Sequence, residues 1–314
     1  MAHDRKFRFG VIVKETRSGA ELQELARRAE DLGYSTFYAS DHFVDHPLAP
    51  IPAIMAAADA TTSLRVGTLV LGNDYKHPVV LANEAATIDL LSDGRLELGL
   101  GAGWMTIDYE RGGFPLDKAS TRIARLDESL TVIKGLMGDG PVTFKGEHYV
   151  IDGLEGQPKP VQRPHPPIVV GGGGRKILTV AAKHAQIVGI NANLRAGDGN
   201  HPDSVHSLTA AATDEKASML REVAGERYAD LEIQNLTGFV YVTDDPEAIA
   251  KGVAGHFGVS EEVALQSPAL LVGTVDAMVD EIEARRARWD MSYTVVPQEF
   301  LETLAPVVAR LNGR

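Results

Sequence analysis

The chain has no cysteine anywhere in its 314 residues. That one absence removes disulfide frameworks, thiolate zinc sites, iron–sulfur clusters and cysteine nucleophiles together. No stretch approaches the roughly 18 uninterrupted apolar residues of a membrane-spanning helix. The opening Met-Ala-His-Asp-Arg-Lys holds no apolar signal core, so the expected address is the cytoplasm. Positive charge is in deficit, with 31 Lys and Arg against 43 Asp and Glu and a net charge of -12. Nucleic acid is therefore not an expected partner, and any anionic ligand needs a local site. With 44% apolar residues, the chain can bury a sizeable core and is not disordered.

A strand-plus-helix unit repeats along the chain. Strands are predicted over 7–13, 35–39, 64–71, 95–100, 167–170 and 186–190, within 231–242, and over 292–296. Between them, Ser18 with Glu21 has capping-box spacing and opens a helix whose apolar face runs to Leu32. Further helices are predicted over 52–61, 78–91, 121–137, 176–183, 214–228, 275–289 and 300–311. The alternation breaks at 142–150, where Lys145-Gly146 marks the turn of an inserted β-hairpin. It breaks again in the weakly periodic, polar 193–212, which reads as a mobile excursion. Eight such units without a Pro- or Ser-rich linker predict one α/β domain over 1–314. Its fold is a (β/α)₈ TIM barrel, with insertions at about 139–160 and 193–230. In such barrels the reactive groups sit where strands end, at the C-terminal face.

The second strand ends in Ser-Asp-His, so Asp41 and His42 stand at the expected mouth. Imidazole suits proton transfer near neutral pH, and the neighbouring carboxylate either orients it or meets the polar edge of a ring. His42 and His46 are spaced i, i+4, but Pro47 follows and no glutamate lies between them, so the spacing argues against a metal pair. After the third strand, Gly72 in Leu71-Gly72-Asn73 either permits a bulge against a flat ligand or makes an ordinary turn. Gly99-Leu100-Gly101-Ala102-Gly103-Trp104 lacks the last glycine of a dinucleotide fingerprint. Its small residues leave room for a planar ring, with Trp104 lining the pocket or packing in the core. The fifth strand runs into Gly171, Gly172, Gly173, Gly174 and Arg175 before a helix. Exposed N–H groups, the helix start and a cation together read as a phosphate cradle, without the lysine of a P-loop. Lys159 and Arg163 read as part of a rigid connection, the charges of 281–288 as a solvated helix face, and His184 and His256 as structural.

Taken together, Ser-Asp-His, the run 94–104, Asp108-Tyr109-Glu110 and Pro-Pro-Ile-Val-Val-Gly-Gly-Gly-Gly over 166–174 resemble the luciferase-like monooxygenase superfamily. The segments 140–144 and 164–167 resemble its actinobacterial members that depend on coenzyme F420, a 5-deazaflavin. The resemblance implies a TIM barrel, commonly a homodimer, holding the ring at its mouth. A non-proline cis peptide would support that ring near Leu71-Gly72 or Gly72-Asn73. Leu71, Asn73, Gly103, Trp104 and Asp41 would stand around the ring, with the phosphate on Gly171 to Arg175. It implies an oxidoreductase that moves a hydride between the deazaflavin and a small organic substrate, with His42 handling the proton. The alternative is an FMN-dependent monooxygenase using oxygen. F420-dependent sugar-phosphate dehydrogenases carry an aromatic shortly after the histidine and an acid after the fourth strand. The matching region here shows Val44 and Gly103-Trp104, so a sugar phosphate is not the expected substrate. Readings from other classes are a metal-dependent hydrolase on Asp41, His42 and His46, and a binding protein that holds a ligand without redox turnover.

Overall fold

A computed structural model describes residues 5–44 and 48–314. Eight parallel strands close into a barrel: Arg8–Val13, Thr36–Ala39, Arg65–Thr68, Leu96–Gly101, Ile168–Gly172, Ile187–Ile190, Glu232–Leu236 and Met291–Pro297. Closure is direct, since the first strand pairs with the eighth through Arg8 and Tyr293, and the third with the fourth through Val66 and Leu96. Their burial on both faces explains the apolar runs that make them legible. The (β/α)₈ fold is as the alternation predicts, and the helix Val275–Trp289 keeps its predicted bounds.

The barrel is filled by Ile12, Tyr38, Val169, Ile187, Tyr293 and Val295. Beside this layer the fully buried Glu97 receives Arg8, Arg65 and the Tyr38 hydroxyl. Burial alone would raise the Glu97 pKa, but the two guanidiniums hold it below the ordinary carboxylate value.

The inserted hairpin is present, as Pro141–Lys145 paired antiparallel with Val150–Glu155. Three other expectations are corrected. The stretch 193–212 is not structureless: it is tied by its own hydrogen bonds and contains the short helix Pro202–His206 before the helix Ala210–Ala224 begins. The region 231–242 holds two strands, the second of which, Phe239–Val242, leaves the barrel and pairs in parallel with Leu270–Gly273. Helices Pro246–Phe257, capped by Asp245, and Glu261–Leu265, capped by Ser260, lie between them, and neither is among the predicted helices. Finally, 281–288 is not wholly solvated. Arg285 is 2% exposed and donates to the carbonyls of Pro268 (2.9 Å) and Leu270 (2.6 Å), fastening that unit to the barrel.

His184 is structural, as expected: it is 2% exposed with Nε2 2.7 Å from Asp127. Burial pushes its pKa down to about 4 against the pull of Asp127. An unfolded chain takes up this proton from about pH 6.5 downward. The folded chain resists until about pH 4, so the stability contributed by neutral His184 is complete above pH 6.5 and drains as pH falls toward 4. Urea midpoints measured at pH 7, 5.5 and 4.5 should therefore fall more steeply for the wild type than for His184→Gln. Equal slopes would remove this assignment.

Candidate active site

The second strand delivers Asp41 and His42 to the C-terminal mouth, and the fourth brings in the helix Thr106–Gly112 beside them. Asp108 from that helix is fully buried, with Oδ2 2.6 Å from His42 Nδ1 and Oδ1 accepting the Phe43 and Val44 N–H groups at 3.0 Å each. A carboxylate only accepts, so Nδ1 is the donor in this pair. The Trp104 ring meets His42 edge-on at 5.4 Å.

Asp108 follows the fourth strand four residues beyond Trp104, and an aromatic, Phe43, directly follows the histidine, while Gly103-Trp104 stand as the sequence shows them. The alternative in which Asp41 orients His42 is corrected. Asp41 Oδ2 instead accepts the Gly72 N–H at 3.1 Å, and burial raises its pKa. Asp108 was legible only as part of a motif, because its partner is 66 residues away.

The cis peptide lies at Leu69-Val70, two residues before the expected position. The third strand stops there and resumes as Leu71–Gly72 against Leu100 and Gly101. The glycines of the fourth strand make this bend possible. A Cβ on Gly99 would lie 1.9 Å from the Thr68 carbonyl oxygen, and one on Gly101 2.7 Å from Val70. Their space is occupied by the neighbouring strand and is not left open for a ring. Gly103 has φ +74° and would strike the Tyr109 hydroxyl at 1.8 Å, so its glycine is explained by backbone and packing. Leu71 is buried in the main core.

Asn73 is 1% exposed, with Nδ2 3.4 Å from the Tyr149 hydroxyl of the hairpin insertion and Oδ1 without a partner among the described residues. A buried acceptor left unpaired costs about 1–3 kcal/mol, so this oxygen is suited to an incoming N–H. The nearby cations are committed. Arg125 binds Asp74 and Asp117, and Arg122 donates to the Ala102, Gly103 and Asp117 carbonyls. Lys159, by contrast, donates to the Leu136 and Gly138 carbonyls at the C-terminus of the helix Ala119–Met137, remote from the strand-end mouth.

At the end of the fifth strand, Gly171 and Gly173 press against the start of the loop after the sixth strand, and Gly172 against Ile177. A Cβ on Gly171 would meet Asn191 Nδ2 at 2.7 Å, and one on Gly173 the Asn191 oxygen at 2.5 Å. Gly174 caps the helix Arg175–His184 without a side-chain hydrogen bond and with no acidic residue in the first turn. Its Cβ position is open space. Arg175 is paired with Glu222 at 3.0 Å. Among the described residues no three His, Asp or Glu side chains are grouped to hold a metal, and His46 lies outside them. No described helix is long and apolar enough to cross a membrane.

A closed parallel barrel with an imidazole–carboxylate pair and a glycine-lined helix start at its C-terminal mouth has the layout of a barrel enzyme. The family model for luciferase-like monooxygenases matches residues 6–308, and the chain belongs to that family of oxidoreductases. It is 33% identical over 186 residues to the F420-dependent glucose-6-phosphate dehydrogenase of Amycolatopsis mediterranei, covering 57% of this chain and 52% of that protein. It is 25% identical over 232 residues to the FMNH(2)-dependent dimethylsulfone monooxygenase of Pseudomonas putida, covering 72% and 64%. Several of the curated relatives are matched over only about half their length. The coenzyme F420 dependent tetrahydromethanopterin reductase from Methanopyrus kandleri superposes with a TM-score of 0.77 at 18% identity over 98% of this chain and 100% of that one, a likeness of fold.

Proposed function

We propose that the protein is an F420-dependent oxidoreductase that moves a hydride between the 5-deazaflavin and a small organic substrate. The observation that carries this reading is His42 held by Asp108 at 2.6 Å, which makes Nε2 a positioned base at the barrel mouth. The residues fit the cofactor at two places. Asn73 Oδ1 is a buried acceptor for a ring N–H, and the uncapped helix start at Gly174 offers N–H groups to a phosphate. When bound, the deazaflavin supplies hydride chemistry. His42 Nε2 takes the proton of a substrate hydroxyl in the oxidising direction and returns it to the carbonyl oxygen in the other. Asp108 keeps the imidazole in the tautomer that this requires. Asp41 acts through the Gly72 backbone, holding the bend next to Asn73. Trp104 walls the imidazole from the side.

The match to the dimethylsulfone monooxygenase over 72% of this chain favours a second reading, FMN-dependent oxygen chemistry on the same barrel. Titrating the protein separately with F420 and FMN, followed by fluorescence quenching, decides between them. Tight F420 binding with weak FMN binding is expected. The reverse order overturns the proposal and directs the search to oxygen-dependent substrates, and binding of neither overturns both readings.

A further inference from the structure

We infer that Lys216 is a positioning residue that latches the 191–209 segment across the mouth and thereby couples the glycine loop to the wall beside His42. Lys216 is 4% exposed, yet among the described residues its ammonium pairs with no carboxylate. It donates to the Asn191 carbonyl at 2.7 Å and to the Ser207 carbonyl. These acceptors bracket most of the segment: Asn191 directly follows the sixth strand, and Ser207, two residues before the segment's end, directly follows the helix Pro202–His206.

Each end leads to one half of the site. At Asn191 the backbone is packed against Gly173 so closely that a Cβ there would lie within 2.6 Å of both Asn191 and Ala192, and the Asn191 amide lies over Gly171. Moving Asn191 moves the glycine loop. From Ser207 the hydrogen bonds run inward: Asn193 N–H donates to Ser207 Oγ at 2.7 Å, and Ser204 Oγ donates to the Asp198 carbonyl at 2.8 Å. Gly197 then accepts the Thr106 N–H at 3.3 Å, and Gly199 lies beside the Trp104 ring, whose edge faces His42. Thr106 opens the short helix that carries Asp108. A single buried ammonium therefore holds both the loop assigned to phosphate and the wall behind the imidazole. Burial lowers its pKa to about 8 against the pull of the Glu215 charge.

The coupling to the glycine loop rests on the phosphate assignment proposed above, whereas the latch itself does not. The test uses Lys216→Met, which keeps the stem and removes the donor. Two half-buried carbonyls then lose their donor, so the latched state should open about tenfold or more as often. Arg195 is exposed in the middle of the segment and gives trypsin a reporter. Cleavage after Arg195 should accelerate about tenfold in Lys216→Met, with cleavage at the Lys and Arg residues common to both proteins otherwise unchanged, and the dissociation constant for whichever of F420 or FMN the wild type binds should rise by a similar factor. Lys216→Gln, which retains a donor, should fall between the two, and it replaces Lys216→Met if that variant does not fold. Wild-type cleavage at Arg195 overturns the latch whatever binding does. Faster cleavage with an unchanged dissociation constant overturns the coupling. Should the wild type bind neither cofactor, the functional proposal fails separately, and cleavage alone decides the latch.

Discussion

Replacing His42 by alanine should lower kcat by about 10²- to 10⁴-fold while the cofactor dissociation constant stays near the wild-type value. The loss follows from removing an imidazole that a fully buried carboxylate holds at the mouth, Asp108 at 2.6 Å. Binding is spared because the groups that fit the cofactor, Asn73 and the start of the helix Arg175–His184, are not bonded to His42. The two effects are separated by measuring F420 affinity by fluorescence and turnover on an alcohol or carbonyl that the wild type converts. Asp108→Asn should also slow turnover, since an amide leaves either tautomer of His42 acceptable, although it disturbs the Phe43 and Val44 N–H contacts as well. Unchanged turnover in His42→Ala would remove the proton-transfer assignment.

Gly174→Asp is expected to weaken cofactor binding while slightly stabilising the fold. Gly174 is the N-cap of its helix, its φ of -116° and ψ of 155° suit any residue, and nothing lies within 4 Å of an added Cβ. An aspartate there caps the helix better than glycine by a few tenths of a kcal/mol. It also sets a negative charge where a phosphate would sit. Two such charges about 4 Å apart repel by about 1 kcal/mol in bulk water and about 4 kcal/mol near a protein surface, or about fivefold to nearly a thousandfold in affinity. Opposite signs for stability and binding are the signature to look for. Gly173→Asp also breaks binding but is a poorer test, because its Cβ collides with the Asn191 carbonyl oxygen at 2.5 Å and distorts the loop itself. Wild-type affinity in a folded Gly174→Asp would remove the phosphate assignment.

Much of the architecture follows from the sequence alone. Apolar runs and helical spacing are local properties, so the eight strand–helix units, the hairpin near 142–150 and the helix Val275–Trp289 can be read without knowing what packs against what. The placement of His42 at a strand end and of four glycines before a helix follows for the same reason. Only the tertiary structure pairs His42 with Asp108, separated by 66 residues, and gives Asp41 to Gly72 instead. It alone places the backbone bend at Leu69-Val70, with the space of Gly99 and Gly101 filled by the third strand. It buries Arg285 within an otherwise charged helix face and joins Lys216 to two distant carbonyls. Periodicity states which face a side chain occupies. Which group it meets depends on strands and loops that become neighbours when the barrel closes, and no local pattern encodes that choice.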